Sequence, residues 1–474
     1  MIGSLSRQSC LFYVPLATQA SLLKDDLLDP LETLLDDPEL VDLVRQRLAT
    51  RHPLSARTGR PSIAPDRLLR CCVAKHLKGW SLRALEREVR SNIVYRLFTR
   101  FDADPTPDFT TFSRTFALLG PDTTQEIHKR VVAMARHERV APGRKLRSDT
   151  TVVESNVHYP TDSTLLGDGI RVLTRSLQRI AAECRPGAVA VVEHARSVKR
   201  RLLEISRAAK SRTEASQKRL EGSYRKLLGL TGGVVRQVNS VLADLQGGRL
   251  PVVGNLVRVV ANESQLHHFM PLVRQVMAQT QERVFAGNRH VQGKVLSLFE
   301  THTQAICKGK AHKPTEFGRL VRIDEVENGI VSQYEVLEGN PADTSAWTPA
   351  LEQHQGNFGR PPEMATGDRG YFSAGNERAA KALGVKKVVL PARGRLSKAR
   401  AKLQKERWFQ RALRWRAGVE ATISTLKHPF SMVRATYKGD HGFKRYVGWC
   451  VITKNLVSIA RTRMRGKGNG RKAA

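Results

Sequence analysis

The sequence has few cysteines and no long hydrophobic run. Only six of its 474 residues are cysteine, and none forms a Cys-x-x-Cys pair, so neither a disulfide framework nor a zinc site is expected. The longest apolar stretches, such as residues 187–192 and 385–391, fall far short of the roughly 20 residues that span a bilayer. No signal-peptide pattern is present at the start of the sequence. We therefore expect a cytoplasmic protein rather than a membrane or secreted one.

Negative charge is also scarce. The chain has 44 Asp and Glu residues against 79 Lys and Arg, which leaves a net charge of +35 and a sequence pI near 10.6. Nucleic acid is the commonest partner of so basic a protein, with an anionic membrane surface or an acidic protein as alternatives. A hydrophobic content of 41% is enough to form packed cores, which excludes global disorder.

The first part of the chain is predicted to be all-helical. Residues 1–56 form an acidic helical segment, and residues 57–140 form a helical domain with a helix, a short turn and a second helix that Ser81 can cap. That order is typical of a helix-turn-helix unit, in which Arg83 and Arg87 on the polar face of the second helix would contact DNA. An ordinary helical bundle would show the same pattern.

The rest of the chain alternates strands and helices around a long helical insertion. A strand at 145–154 precedes the insertion, and Asn328-Gly329 is a strong hairpin signal after it. Within the insertion, Gly232-Gly233 and Gly247-Gly248 are expected to break the helices. This order indicates an α/β fold in which a mixed sheet is flanked by helices. The predicted catalytic domain is 141–173 plus 311–462, the basic helical insertion is 174–310, and the disordered basic tail is 463–474.

Three acidic residues lie at positions suited to metal chemistry. Asp149 is on the first strand, Asp368 follows a short strand, and Glu420 is on a late helix. Phosphodiester cleavage by two divalent ions needs carboxylates from separate parts of the chain, and Mg²⁺ prefers oxygen ligands. Taken singly, the three could instead be a strand-end cap, a turn residue and the partner of Arg416 in an ion pair along the helix.

Other acids and histidines are weaker candidates. We interpret the histidines as hydrogen-bonded structural residues, because Mg²⁺ prefers oxygen. The acids lack the same placement, although Asp162 and Asp168 could shape the site. This weaker group comprises Glu154, Asp162, Asp168, Asp324, Glu325, His158 and His428.

The three acids lie in sequence blocks that resemble those of bacterial DDE insertion-sequence transposases. The blocks are SDTTVVESNVHYPTD at 148–162, GDRGYFS at 367–373 and RAGVEATISTLK at 416–427. Residues 59–65 through 112–114 are similar to the N-terminal domain that is common in the same group. One branch of that family adds a tyrosine, an arginine and a lysine around the glutamate. Arg416 and Lys427 match that pattern, whereas Leu413 stands at the tyrosine position.

The resemblance implies an RNase H-like catalytic core in which Asp149, Asp368 and Glu420 bind two Mg²⁺ ions, for which Mn²⁺ could substitute. Arg416, Lys427 and Arg369 would contact DNA beside them. The implied function is DNA cleavage at terminal inverted repeats and joining of the 3′-hydroxyl to target DNA, by a homodimer on paired ends. The alternatives are a metal-dependent nuclease on the same core and a DNA-binding regulator without catalysis.

Overall fold

A computed structural model describes residues 25–51, 54, 58, 62–288, 290–307 and 314–470, with the side chains of 466–470 excepted. The predicted helical character of residues 1–24, most of the loop at 57–61 and residues 311–313 lie outside the described residues. Two compact units divide the chain: a sheet unit of Met1–Asn156 with Ile306–Ala474, and an inserted unit of Val157–Ala305. The functional domain boundaries expected from the sequence stay a prediction.

Seven helices precede the sheet in the described part of the sheet unit. Several start where a short polar side chain accepts a backbone N–H of the first turn, as Asp37, Ser81 and Asp108 do. The seventh helix begins at Pro121, because proline suits the first helical position. The helices are α1 Leu28–Leu35, α2 Pro38–Ala49, α3 Pro65–Leu77, α4 Leu82–Ser91, α5 Ile93–Phe98, α6 Phe109–Leu118 and α7 Pro121–His137.

The inserted unit is a helical bundle with an apolar core. Its helices are α8 Asp162–Glu183, α9 Ala195–Ala208, α10 Glu214–Gln246 and α11 Leu256–Val284. Gly247 caps α10 as predicted, but Gly232 and Gly233 do not break it. Packing overrides their low helix propensity, because their neighbours Thr231 and Val234 are fully buried in the core.

A mixed sheet forms the second part of the sheet unit. β1 pairs antiparallel with β3 and parallel with β5, while β3 also pairs antiparallel with β4 and β5 pairs parallel with β6. The hairpin between β3 and β4 turns at Asn328 and Gly329, both with positive φ, as predicted. The strands are β1 Lys145–Ser155, β2 Gln304–Ile306, β3 Glu316–Glu325, β4 Val331–Val336, β5 Met364–Thr366, β6 Lys387–Val389 and β7 Arg434–Ala435.

Five more helices complete the sheet unit, and the last of them joins its two parts. α16 packs against both α3 and α7 and buries Val447, Trp449 and Ile452 in a core shared with the sheet. It also extends to Gly470, so residues 463–470 are helical rather than disordered; Arg463 pairs there with Glu138 at 2.6 Å. The helices are α12 Trp347–Phe358, α13 Ala374–Ala382, α14 Lys398–Lys405, α15 Arg407–Lys427 and α16 Gly439–Gly470.

This architecture confirms the predicted fold class at the level of a mixed α/β sheet flanked by helices, with helical N-terminal and middle regions. The sheet alternates with helices in the order expected from the sequence. Across the described ranges, no helix combines the length and apolar character that a bilayer span requires.

Candidate active site

The two aspartates of the predicted site lie on neighbouring parallel strands. β1 pairs with β5 so that Arg147 stands opposite Thr366. Asp149 and Asp368 each lie two residues beyond that pair, at the carboxyl end of β5. β1 has the antiparallel strand β3 on one side and the parallel strand β5 on the other. Ligand sites of α/β sheets gather at such positions.

The third acid is brought to this edge by α15, which packs beside β1, β5 and β6. Arg416 and Glu420 are one helical turn apart, so their side chains lie on the same face. The Arg416 guanidinium donates through Nη2 to Asp149 Oδ2 at 2.8 Å and through Nη1 to Glu420 Oε1 at 3.4 Å. The structure therefore joins Asp149 and Glu420 through one arginine.

The exposure of these groups differs across the site. The side chain of Asp149 is 14% exposed and that of Arg416 is 19% exposed, whereas that of Glu420 is 69% exposed. The site therefore has a sheltered floor at β1 and an open rim on α15. A long polyanion can approach that rim without unfolding any element.

Asp368 is held by the tight turn that follows β5. Its Oδ1 accepts the backbone N–H of Gly370 at 2.7 Å. A Cβ atom at Gly370 would lie 2.9 Å from that same oxygen and 2.5 Å from Asp343 Oδ2, so any larger residue would force one of the two carboxylates to move. Asp343 in turn accepts the Thr150 hydroxyl at 3.1 Å. No motif in the sequence pointed to Asp343.

A buried arginine fixes α15 against β1, and sequence reasoning missed it. Arg147 donates to the carboxylate of Glu325 and to the backbone carbonyl of Trp415, and its guanidinium lies 4.7 Å from the centroid of the Trp415 ring. A Cβ atom at Gly418 would clash with that guanidinium. Glu325, considered a weak metal-ligand candidate from the sequence, is fully buried in this anchor.

A second buried network lies behind Asp149. Asp324 accepts from Arg322 Nε at 2.9 Å and from the Ser148 hydroxyl at 2.6 Å, and Ser148 also lies 3.3 Å from the Tyr371 hydroxyl. Burial, with added repulsion from Asp324 and Asp149, raises the pKa of Tyr371 well above its usual value. Tyr371 is thus a neutral phenol that links β1 to the turn carrying Asp368.

The other weak acidic candidates lie in ordinary ion pairs. Glu154 pairs with Arg434 at 2.7 Å. Asp168 pairs with Arg171 at 2.6 Å within the inserted unit, where Asp162 is also buried and bonded.

The basic residues predicted to contact DNA lie on three elements. Arg83 and Arg87 are exposed on α4, where the Arg83 guanidinium covers the Phe109 ring at 4.6 Å. Arg369 is exposed on the turn beside Asp368, and Lys427 is half-buried at the end of α15. Arg83 therefore has an aromatic partner that the sequence did not reveal.

Comparison with protein-family models finds two matches. Residues 17–118 match a transposase domain (DUF772), and residues 323–456 match the transposase DDE domain. The chain belongs to the DDE transposase family. A DDE domain implies polynucleotidyl transferase activity and DNA binding. Neither a search of curated proteins nor one of solved structures finds a match.

The matched range of the DDE domain omits one of the three acids that were predicted from the sequence. It contains Asp368 and Glu420 but begins at residue 323, after Asp149. The chain separates β1 from β3 by the inserted unit, and the pairing of β1 with β3 and with β5 brings Asp149 to the elements that carry the other two acids.

DDE transposases typically use divalent metals, and the donor chemistry of this site suits them. Its three acids offer only hard oxygen donors, and a cation, the Arg416 guanidinium, already lies between two of them. In the described part of the chain, however, no three His, Cys, Asp or Glu side chains are grouped closely enough to hold a metal ion.

Leu413, at the position where one branch of the family has tyrosine, lies on a different surface of α15. It packs against a small apolar cluster of Val389, Phe409 and Ala412. A leucine there supports the attachment of α15 to β6. A tyrosine hydroxyl has no role in that contact.

Proposed function

We propose that this transposase binds terminal inverted repeats, cleaves DNA at the element ends and joins the freed 3′-hydroxyl to target DNA. The observation that carries the proposal is the junction of Asp149 and Glu420 through Arg416, beside the strand end that holds Asp368. Asp149, Asp368 and Glu420 are the proposed catalytic and metal-binding residues. Two Mg²⁺ ions, or Mn²⁺ in their place, would activate the attacking oxygen and stabilise the leaving oxygen when bound.

The residues of the chain itself have separable tasks in this proposal. The anchor formed by Arg147 holds α15 in register with β1, so Glu420 stays beside Asp149. Arg369 and Lys427 flank the acids and bind phosphates on either side of the bond that is cut. Because the Glu420 rim is open, the DNA backbone can lie along α15.

DNA binding in this proposal is divided between two surfaces. Arg83 and Arg87 on α4 contact the terminal repeat, while Arg369, Arg416 and Lys427 contact the cleavage site. Phosphate contacts of this kind release counterions, so the affinity should fall steeply with salt. The net charge of +35 supports such phosphate binding. Two ends must be cut together, for which we propose a homodimer, acting at the bacterial nucleoid.

The test is a cleavage and joining assay with the full chain. Purified protein is incubated with Mg²⁺, a labelled duplex that carries an element end, and a supercoiled target plasmid. Labelled end joined to plasmid supports the transposase. Cut ends without joining would favour a stand-alone nuclease, and a shifted but intact duplex would favour a DNA-binding regulator.

A salt series and a variant pair test the DNA contacts. Arg83→Gln with Arg87→Gln should weaken binding of the end duplex and lower the salt dependence of binding by about one unit of slope per lost phosphate contact. Arg200→Gln is the matched control, because Arg200 is 76% exposed in the inserted unit. An unchanged affinity of the double variant would remove α4 from the DNA surface.

A further inference from the structure

Arg416 occupies a position that its proposed DNA contact does not explain. A phosphate-binding arginine would be expected to face solvent, yet this side chain is largely buried between Asp149 and Glu420. Its Nε is buried and has no hydrogen-bond partner among the described residues. The guanidinium therefore does not fill its hydrogen-bonding capacity where it lies.

The geometry of the contacts that hold this guanidinium favours exchange of its ion-pair partners over a permanent ion pair. One nitrogen reaches Asp149 at 2.8 Å and another reaches Glu420 at 3.4 Å, so neither carboxylate is held by the parallel two-bond fork that gives the strongest arginine pairs. Glu420 is mostly exposed, and solvent screening weakens an exposed pair. A competing divalent cation or a phosphate can therefore separate these groups.

The backbone under Arg416 is fixed, so movement is confined to its side chain. The carbonyl oxygen of the preceding residue, Trp415, accepts a hydrogen bond from the buried Arg147. Gly418 lies against the guanidinium of Arg147. α15 thus keeps its place while the long Arg416 side chain can change rotamer toward the open rim.

We propose that Arg416 is an exchangeable internal counter-ion of the metal site. Without DNA it neutralises Asp149 and Glu420; when DNA is bound it moves to a phosphate and frees both acids for the metal. This inference rests on the proposed metal-binding role of these acids. Because coupling between two ligands is reciprocal, metal should tighten DNA binding by the same factor by which DNA tightens metal binding.

The experiment measures Mn²⁺ binding by electron paramagnetic resonance, so that turnover is not the readout. Full-length wild type and Arg416→Gln are titrated with Mn²⁺, each with and without an end duplex whose cleavage site carries a non-hydrolysable linkage. Wild type should bind Mn²⁺ about tenfold more tightly with DNA. Arg416→Gln should bind Mn²⁺ about tenfold more tightly than wild type without DNA, and should gain less than about twofold on adding DNA.

Two control variants define the site. Arg414→Gln removes an exposed arginine from the same helix and should behave as wild type. Adding Asp149→Asn to Arg416→Gln should abolish the Mn²⁺ binding that the single variant gained, which shows that the metal sits at these acids.

The outcomes separate this inference from the proposed function. If Arg416→Gln without DNA binds Mn²⁺ no better than wild type, while Asp149→Asn removes binding from the DNA complex, the metal site stands and the counter-ion exchange is wrong. If no protein binds Mn²⁺ with or without DNA, the proposed metal site itself fails, and the exchange fails with it.

Discussion

Buried cations distinguish the sheet unit from the inserted unit. Among the described residues, six arginines and lysines are buried in the sheet unit, whereas every Lys and Arg of the inserted unit keeps solvent access. The inserted unit instead buries an apolar core of leucine and valine. The six buried cations are Arg70, Lys75, Arg147, Arg319, Arg322 and Lys454.

The comparison shows that positive charge has two different tasks in this protein. Exposed cations can meet a polyanion, whereas some buried cations hold buried acids, because an unpaired charge inside a protein is costly. Arg147 and Arg322 do this on either side of Asp149: one lies two residues before it on β1, and the other stands opposite Thr150. The net charge therefore overstates what is available for DNA, and part of it builds the candidate site.

Removing an acidic residue from the site should have the largest effect. It should show that catalysis depends on the sheet unit and not on the acids of the inserted unit. Asp149→Asn, Asp368→Asn and Glu420→Gln should each slow cleavage at least about a thousandfold, because each removes a proposed metal ligand. DNA affinity should stay near that of the wild type in a gel-shift assay without divalent metal. Glu214→Gln, at an exposed acid of the inserted unit, should cut normally. Normal cleavage by any of the three would exclude that residue from the site.

Removing a buried cation should destabilise the sheet unit more than removing an exposed one destabilises the inserted unit. Arg322→Met leaves the carboxylate of Asp324 buried without its cation, which should lower the free energy of unfolding by about 3–5 kcal/mol. Arg200→Met should change it by less than about 0.5 kcal/mol. Urea denaturation measures both. Equal losses for the two variants would contradict the distinction between buried and exposed cations.

Low pH should lower the free energy of unfolding of the sheet unit through two buried histidines. Burial lowers the pKa of His128 and of His354 to about 4, from 6.5, and Nδ1 of each has no hydrogen-bond partner among the described residues. Below pH 6.5 the unfolded chain takes up a proton that the folded histidine refuses, so stability falls as the pH drops toward 4. At pH 4.5 the loss should be about 2.5 kcal/mol per histidine relative to pH 7.

The matched variants for this acid effect keep the hydrogen bond and remove the titration. His128→Gln and His354→Gln retain an amide donor near Val331 O and Gly143 O. The double variant should lose less stability than the wild type between pH 7 and pH 4.5 in urea denaturation. An identical pH profile would show that other groups cause the acid effect.

Substitutions that change the packing of the inserted unit should have the smallest effect on stability. A Cβ atom at Gly169 would lie 2.7 Å from Val273 Cγ2, so Gly169→Ala should push α8 from α11 and cost about 1 kcal/mol. Gly233→Ala is its control, since no atom lies within 4 Å of the new methyl group, and it should stabilise α10 by about 0.5–1 kcal/mol. Thermal melting compares them. A loss in both would mean that α10 depends on glycine flexibility.

Local patterns were enough to predict most elements. Apolar spacing and capping residues such as Ser81 located the N-terminal helices, and Asn328-Gly329 located the hairpin, because these signals depend on neighbours along the chain. Two predictions were wrong. Gly232-Gly233 lies inside a helix, and the chain beyond residue 463 is helical to Gly470, since packing and the ion pair of Arg463 outweigh local propensity.

Local sequence patterns were enough to predict the order of elements, the family and the types of side chain that a polyanion-processing site needs. Three features came from the folded chain and not from those patterns: Asp149 and Glu420 share one arginine, Arg147 anchors α15, and Asp343 stands beside Asp368. The reason is that each of these contacts joins residues distant along the chain. Strand pairing and helix packing set such contacts, and they cannot be predicted from the neighbours of each residue along the chain.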